Sequence, residues 1–159
     1  RPCAILFQDS NLFPHLNLRE NLRLAVSSTQ KRSAQTDDQM ALALDKVGLA
    51  GLEDRHPASL SGGQQSRAGI ARVLLQDRPV LLMDEPFAAL DPARKREMGA
   101  LIAALCEELG LTLLLATHDF NDAERICDRV ILLEGGELMA DCPIKGLRKT
   151  APEALKPWL

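Results

Sequence analysis

Short apolar runs alternate with longer stretches of helical spacing along this 159-residue chain. Residues 3–7 form an apolar run closed by Gln8, which predicts a short buried strand. Residues 79–83 and 111–116 read the same way, because Leu dominates both and polar alternation is absent. Between the first two runs the pattern changes. Residues 8–18 are polar and turn-rich, and Pro14 breaks any helix there. Residues 17–26 predict a short helix, and the Ser/Thr/Gln-rich residues 27–38 predict an exposed connection. Met40, Leu42, Leu44 and Val47 then recur at helical spacing over 38–47 until Gly48 stops them. A further helix is predicted over 61–76.

The second half has the strongest local signals. Over 92–109, Asp91 suits the N-cap, Pro92 the first helical position and Gly110 the C-terminal stop. A short helix over 121–127 and a strand over 129–133 follow. Gly135-Gly136 turns the chain into a last strand over 137–140, as a hairpin.

Buried strands alternating with helices predict an α/β fold with a mainly parallel sheet flanked by helices on both faces. Residues 17–60 offer helices and no strand, so they read as a helical subdomain inserted in that core. The expected partition is about 17–78 for the helical subdomain, 1–16 and 79–142 for the α/β core, and 143–159 for a C-terminal tail.

Composition narrows the class. A net charge of -3 argues against the basic field that nucleic-acid binding needs, so no nucleic-acid partner is expected. Cys3, Cys106, Cys127 and Cys142 are scattered, with no CxxC pair, and read as reduced structural thiols of a cytosolic protein. No apolar run is long enough to cross a bilayer, so a membrane role has to come through a partner.

Candidate chemistry collects at strand ends and at one helix start. Leu60-Ser61-Gly62-Gly63-Gln64 is an S-x-x-Q capping box whose two glycines let bare N–H groups approach an anion. By itself it is equally a well-capped helix. Val80-Leu81-Leu82-Met83-Asp84-Glu85-Pro86 ends an apolar strand in two carboxylates, with Pro86 stopping the strand directly after them. Ligands of open α/β sheets bind at the carboxyl ends of strands. There Asp84 is suited to Mg²⁺ and Glu85 to polarising a water. Thr117-His118 and Gln8 follow other strands in the same way. A lone His is more often structural, and Asp91 is fully explained as an N-cap.

In the order Gln8, Leu60 to Gln64, Val80 to Glu85, Ala89-Leu90-Asp91 and His118, these pieces resemble the Q-loop, signature motif, Walker B, D-loop and switch histidine of the ABC ATPases. The resemblance runs from residue 3 to about residue 142. It implies a P-loop NTPase-like core and a head-to-tail homodimer with ATP sandwiched between subunits. In that arrangement Ser61, Gly62, Gly63 and Gln64 face the γ-phosphate of ATP held by the partner. Asp84 supports Mg²⁺, Glu85 is the catalytic base and His118 holds the transition state. Gln8 reaches Mg²⁺ and the attacking water. Asp91 joins the nucleotide-binding set and couples the two sites.

Three departures stand out. Where the family commonly continues with Arg-Gln-Arg, this chain has Gln65-Ser66-Arg67, and Ala88-Ala89 precede the D-loop where Ser is usual. No G-x-x-x-x-G-K-[ST] occurs in the chain, so the phosphates have no seat in cis. With Arg1 leading straight into a strand, the expectation is a fragment whose N-terminal part is missing and which hydrolyses no ATP alone.

Phe13-Pro14-His15-Leu16 with Arg19-Glu20-Asn21 is similar to importer subunits, and residues 6–13 and 84–92 are most similar to the thiamine-importing group. Iron and polyamine importers share much of that pattern. The resemblance implies transmembrane permease partners, indirect work with a periplasmic binding protein, and a peripheral place on the cytoplasmic face of a bacterial inner membrane. A non-transport ABC ATPase, such as an ABC-F translation factor, and a non-catalytic remnant remain as alternatives.

Overall fold

A computed structural model describes residues 3–7, 11–26, 34–88 and 90–159. Three strands, β1 (Cys3–Leu6), β2 (Val80–Asp84) and β3 (Thr112–Ala116), lie parallel in the order β1-β2-β3. The register sets Ala4 beside Leu81 and Leu113, and Leu6 beside Met83 and Leu115. Those six positions share one face, and Ala4, Leu6, Leu81 and Met83 on it are fully buried. The opposite face is covered less. Ile5 and Leu82 are half-buried there, and Leu114 is 57% exposed. The expected cover on both faces is therefore unequal among the described residues. A two-stranded antiparallel hairpin, β4 (Arg129–Glu134) with β5 (Glu137–Pro143), turns through Gly135 and Gly136, both at positive φ.

Among the described residues, every element between β1 and β2 is helical. These are α1 (Leu18–Arg23), α2 (Ala34–Lys46), a 3₁₀ turn (Pro57–Ser59) and α3 (Gly62–Leu74). Helix α2 begins earlier than its hydrophobic spacing predicts. Its first turn is polar and reads as connection, yet Thr36 is buried on the same face as Met40, Ala43, Leu44 and Val47. That i, i+4, i+7, i+8, i+11 stripe leaves Leu42 outside, exposed. Leu44 is fully buried, worth roughly 1.5–3 kcal/mol for a side chain of that size.

Helix α4 (Pro92–Leu109) has the predicted bounds. The Asp91 side chain caps it, and Gly110 ends it in the left-handed region at φ 62°. Its Met98, Ile102 and Leu105 enter the same core as Ile70 and Val73 of α3 and Leu81 and Met83 of β2. Two ion pairs tie the inserted helices to α4: Arg67 to Glu97 at 3.2 Å, and Lys46 to Glu108. Helix α5 (Phe120–Ile126) follows β3. Residues 143–159, expected as a tail, complete β5 at Pro143 and then form α6 (Leu147–Thr150) and a 3₁₀ turn (Glu153–Trp158). Their Ile144, Leu147 and Leu155 are buried with Phe120 in a second, smaller core. Arg148 fastens this segment, bonding Glu124, the Asn121 side chain and the Leu159 carbonyl.

Candidate functional site

The parallel register brings the ends of β2 and β3 side by side, with Asp84 opposite Ala116. The Glu85 N–H donates to the Ala116 carbonyl at 3.0 Å, carrying the ladder one residue past the strand. Glu85 then turns the chain at φ 45°, in the left-handed region. A bulky residue held there costs on the order of 1–3 kcal/mol. Pro86 blocks continuation of the strand, and buried Phe87 anchors the turn in the core.

This turn aims the Glu85 carboxylate at the segment after β3. Its Oε1 accepts the His118 backbone N–H at 2.9 Å and lies 2.7 Å from His118 Nδ1. A carboxylate at that distance makes Nδ1 the protonated nitrogen. The Glu85 carboxylate raises the basicity of the ring, through its hydrogen bond first and its charge second. The ring is 73% exposed, and Nε2 has no partner among the described residues. Asp84 is exposed and its carboxylate likewise carries no hydrogen bond or ion pair there. Sequence reading places Asp84, Glu85 and His118 at neighbouring strand ends. The structure adds the direct contact between the last two.

The glycine-rich segment begins a separate element, α3. Ser61 caps α3, accepting the Gln64 N–H on Oγ at 3.3 Å, while Gln64 Oε1 accepts the Ser61 N–H at 2.9 Å. The expected capping box is thus complete. Gly62 and Gly63 sit in helical backbone rather than at positive φ. A Cβ on Gly62 would meet nothing within 4 Å, and one on Gly63 only the Arg94 side chain at 3.8 Å. The fold itself does not demand glycine at either position. No hydrogen bond or ion pair joins Ser61–Gln64 to Asp84, Glu85 or His118 among the described residues. Gln65, one of the departures from the family pattern, bonds the carbonyls of Pro57 and Leu60 and so braces the turn before α3.

Asp91 Oδ1 accepts the N–H groups of Ala93 and Arg94 at 3.1 and 3.0 Å. The Arg94 N–H is the chief cause of its lowered pKa. Gln8 and Ala89 lie outside the described residues. The segment before α1 is pinned by Asn21, which is fully buried and whose side chain accepts the Phe13 N–H and donates to the Phe13 carbonyl.

Sequence reading missed one charged cluster beside this site. Lys95 Nζ, on the first turn of α4, bonds Asp119 Oδ2 at 3.0 Å and Asp122 Oδ2 at 2.8 Å. Asp119 directly follows His118 and is the N-cap of α5. Its pKa falls to about 2, through the Asn121 side chain first and Lys95 second. The available signals were the i, i+4 spacing from Asp91 to Lys95 and the D-x-x-D of Asp119 and Asp122, both common on solvated helix faces.

The ABC transporter family profile matches residues 1–88. A thiamine import ATP-binding protein, ThiQ, from Jannaschia sp. (strain CCS1) is 50% identical over all 159 residues. The chain belongs to the ABC transporter family. Within it, the matches are to ATP-binding subunits. The ThiQ of Ruegeria sp. (strain TM1040) is also 50% identical over the whole chain, which spans 69% of that relative, as it does of the Jannaschia one. The ThiQ of Haemophilus influenzae (strain 86-028NP) is 46% identical over 138 residues, 87% of this chain and 64% of its own. Among solved structures, cbiO1 from Clostridium perfringens, part of the transporter complex cbiONQ, superposes with a TM-score of 0.83 at 28% identity. The match covers 98% of this chain and 62% of that one. The dimeric ATP-binding cassette MJ0796, in a post-hydrolysis state with ADP and Pi, gives 0.77 at 32% identity, over 91% of this chain and 63% of its own. These neighbours share the α/β core with inserted helices.

Among the described residues, no helix of this ABC chain is long and apolar enough to cross a membrane. All four cysteines are free thiols, and burial pushes the pKa of Cys106 and Cys127 upward.

Proposed function

We infer that this chain carries the hydrolytic residues of an ATPase that energises a bacterial ABC importer, with thiamine as the cargo. The observation behind the chemistry is the Glu85–His118 contact of 2.7 Å at the carboxyl ends of adjacent parallel strands. The cargo rests on the two relatives at 50% identity, both thiamine import ATP-binding proteins. That favours thiamine over iron and polyamines.

The residues present fit Mg²⁺ and ATP. The Asp84 carboxylate is exposed and unengaged among the described residues. Among the described residues no three His, Cys, Asp or Glu side chains gather as a metal cage. That suits Mg²⁺, which takes one or two carboxylates and fills its remaining positions with water and phosphate oxygens. The bare helix start at Gly62 and Gly63 suits a phosphate. When bound, Mg²⁺ neutralises the charge that develops on the phosphates.

The protein residues then divide the work. Glu85 accepts a proton from the attacking water and orients it. His118, fixed through Nδ1, turns Nε2 outward; in the imidazolium form that Glu85 favours, Nε2–H donates to a γ-phosphate oxygen and stabilises the transition state. Ser61, Gly62, Gly63 and Gln64 meet the nucleotide of a second ATPase subunit, the arrangement that the family resemblance implies. Asp91 lies at that subunit boundary, and Gln8 completes the water and Mg²⁺ contacts. Permease subunits and, through them, a periplasmic binding protein are the further partners, at the cytoplasmic face of the inner membrane.

The test joins these residues to a phosphate-binding loop in one polypeptide and compares it with its Glu85→Gln form. Retained ATP binding with lost hydrolysis is the expected result. Undiminished hydrolysis overturns the assignment. Thiamine-stimulated turnover in the reconstituted transporter tests the cargo.

A further inference from the structure

We propose that Lys95 is a positioning residue for ATP hydrolysis, clamping the loop that carries His118 to the helix that Asp91 begins. The proposal rests on the ATPase role of the Glu85–His118 site. Lys95 touches neither nucleotide nor water in it, so it acts through Asp119.

The geometry is specific. Lys95 lies one helical turn after the Asp91 cap, and its N–H donates to the Asp91 carbonyl at 2.9 Å. Its ammonium leaves α4 and reaches two carboxylates, the N-cap of α5 and its first turn, 24 and 27 residues further along the chain. Asp119 is doubly committed. One oxygen caps α5 by accepting the Asn121 N–H at 3.0 Å, and the other takes Lys95. Its own N–H donates to Thr117 Oγ1 at 3.1 Å. His118 therefore sits between two residues locked to each other, and its N–H is the one that Glu85 accepts. Without Lys95, the Asp119 cap remains but the whole Thr117–Asp119 turn loses its tie to α4.

The second carboxylate explains why a lysine stays there. Asp122 is 3% exposed and needs a cation, which Lys95 supplies at 2.8 Å with Arg125 further off at 3.5 Å. Asp122, followed by Asp119, holds the lysine firmly in its charged form. One ammonium thus links the helix start placed at the subunit boundary to the histidine placed at the γ-phosphate. Movement of Asp91 when a second subunit docks is transmitted to His118 through it.

The role separates from mere packing by four variants, made in the full-length ATPase assembled with its permease. Lys95→Met is expected to lower kcat by about 10- to 100-fold, the scale of a misplacement near 1 Å, with KM for ATP within about two-fold. Lys95→Arg, which keeps a forked cation for both carboxylates, restores kcat. Asp122→Asn keeps the Lys95–Asp119 bond and turns over near the parent rate. Lys95→Met/Asp122→Asn removes the buried charge that Lys95→Met orphans, so it regains thermal stability yet stays slow. Recovery of kcat together with stability in that double variant overturns the proposal, as does a loss in Lys95→Met that lies wholly in KM. Glu85→Gln runs alongside. Turnover that survives it overturns the ATPase assignment. Turnover lost with it but intact in Lys95→Met/Asp122→Asn overturns only the role of Lys95.

Discussion

The start of α3 and the ends of β2 and β3 are organised in opposite ways. At α3, Ser61 and Gln64 satisfy each other three residues apart, and the backbone around Gly62 and Gly63 is unstrained and open. At the strand ends, Glu85 and His118 meet across 33 residues of chain, through a left-handed turn that the core has to hold in place. A helix cap is a local device that forms wherever its four residues occur. A strand-end pair exists only while the sheet register does. The first can be carried as a rigid module to another surface. The second belongs to the sheet that builds it.

The sharpest way to test that contrast is at Glu85. In a polypeptide that also supplies a phosphate-binding loop, Glu85→Gln is expected to cut hydrolysis by about 10²- to 10⁴-fold, the range for loss of a general base. Nucleotide binding, followed by equilibrium titration, stays within a few-fold. Gly63→Ala splits the two properties at the other region. Free space and helical φ make alanine acceptable to the fold, so denaturant unfolding shows a gain of about 0.4–1 kcal/mol. If α3 meets a partner's phosphate as proposed, ATP turnover of the dimeric protein falls at least about ten-fold, because the added methyl group then blocks that approach. Equal activity in this variant breaks the idea that α3 is an outward-facing module.

Smaller effects test the caps. Ser61→Ala removes the acceptor for the Gln64 N–H and is expected to cost about 1 kcal/mol, with Ser61→Asp restoring it in chemical denaturation. Asp119 carries an acid-sensitive increment. Its folded pKa of about 2 lies below its usual 3.8, so its contribution is fully present above pH 4–5 and is lost as pH falls towards 2. Asp119→Asn is therefore less stable at neutral pH and has a flatter acid limb, read from thermal melts across that range. Parallel acid limbs for the two proteins would remove Lys95 and Asn121 as the cause.

The sequence carries α4 most fully, since Asp91, Pro92 and Gly110 are local signals that tertiary contacts have no reason to override. It carries less of α2, whose polar first turn looks like connection until burial of Thr36 is known. It says least over residues 143–159, read as a tail, where Leu147 and Leu155 fill a core with Phe120. At the site, motif order locates Asp84, Glu85 and His118, because carboxyl ends of buried strands are where such sheets present polar groups. The Lys95 clamp is not legible, since charges 24 and 27 residues apart look like ordinary solvated helix faces until α4 and α5 pack together.

Both bridges from the inserted helices to α4, Lys46–Glu108 and Arg67–Glu97, put an acceptor more than half exposed against its cation. Such pairs are worth about 0–1 kcal/mol each. They lose range as the Debye length shrinks from about 30 Å in dilute buffer to about 3 Å in molar salt. The seam between the helical insertion and α4 thus has a salt-sensitive rim around an apolar centre shared by α3, α4 and β2. Ionic strength therefore trims the rim of that seam and leaves its apolar centre untouched.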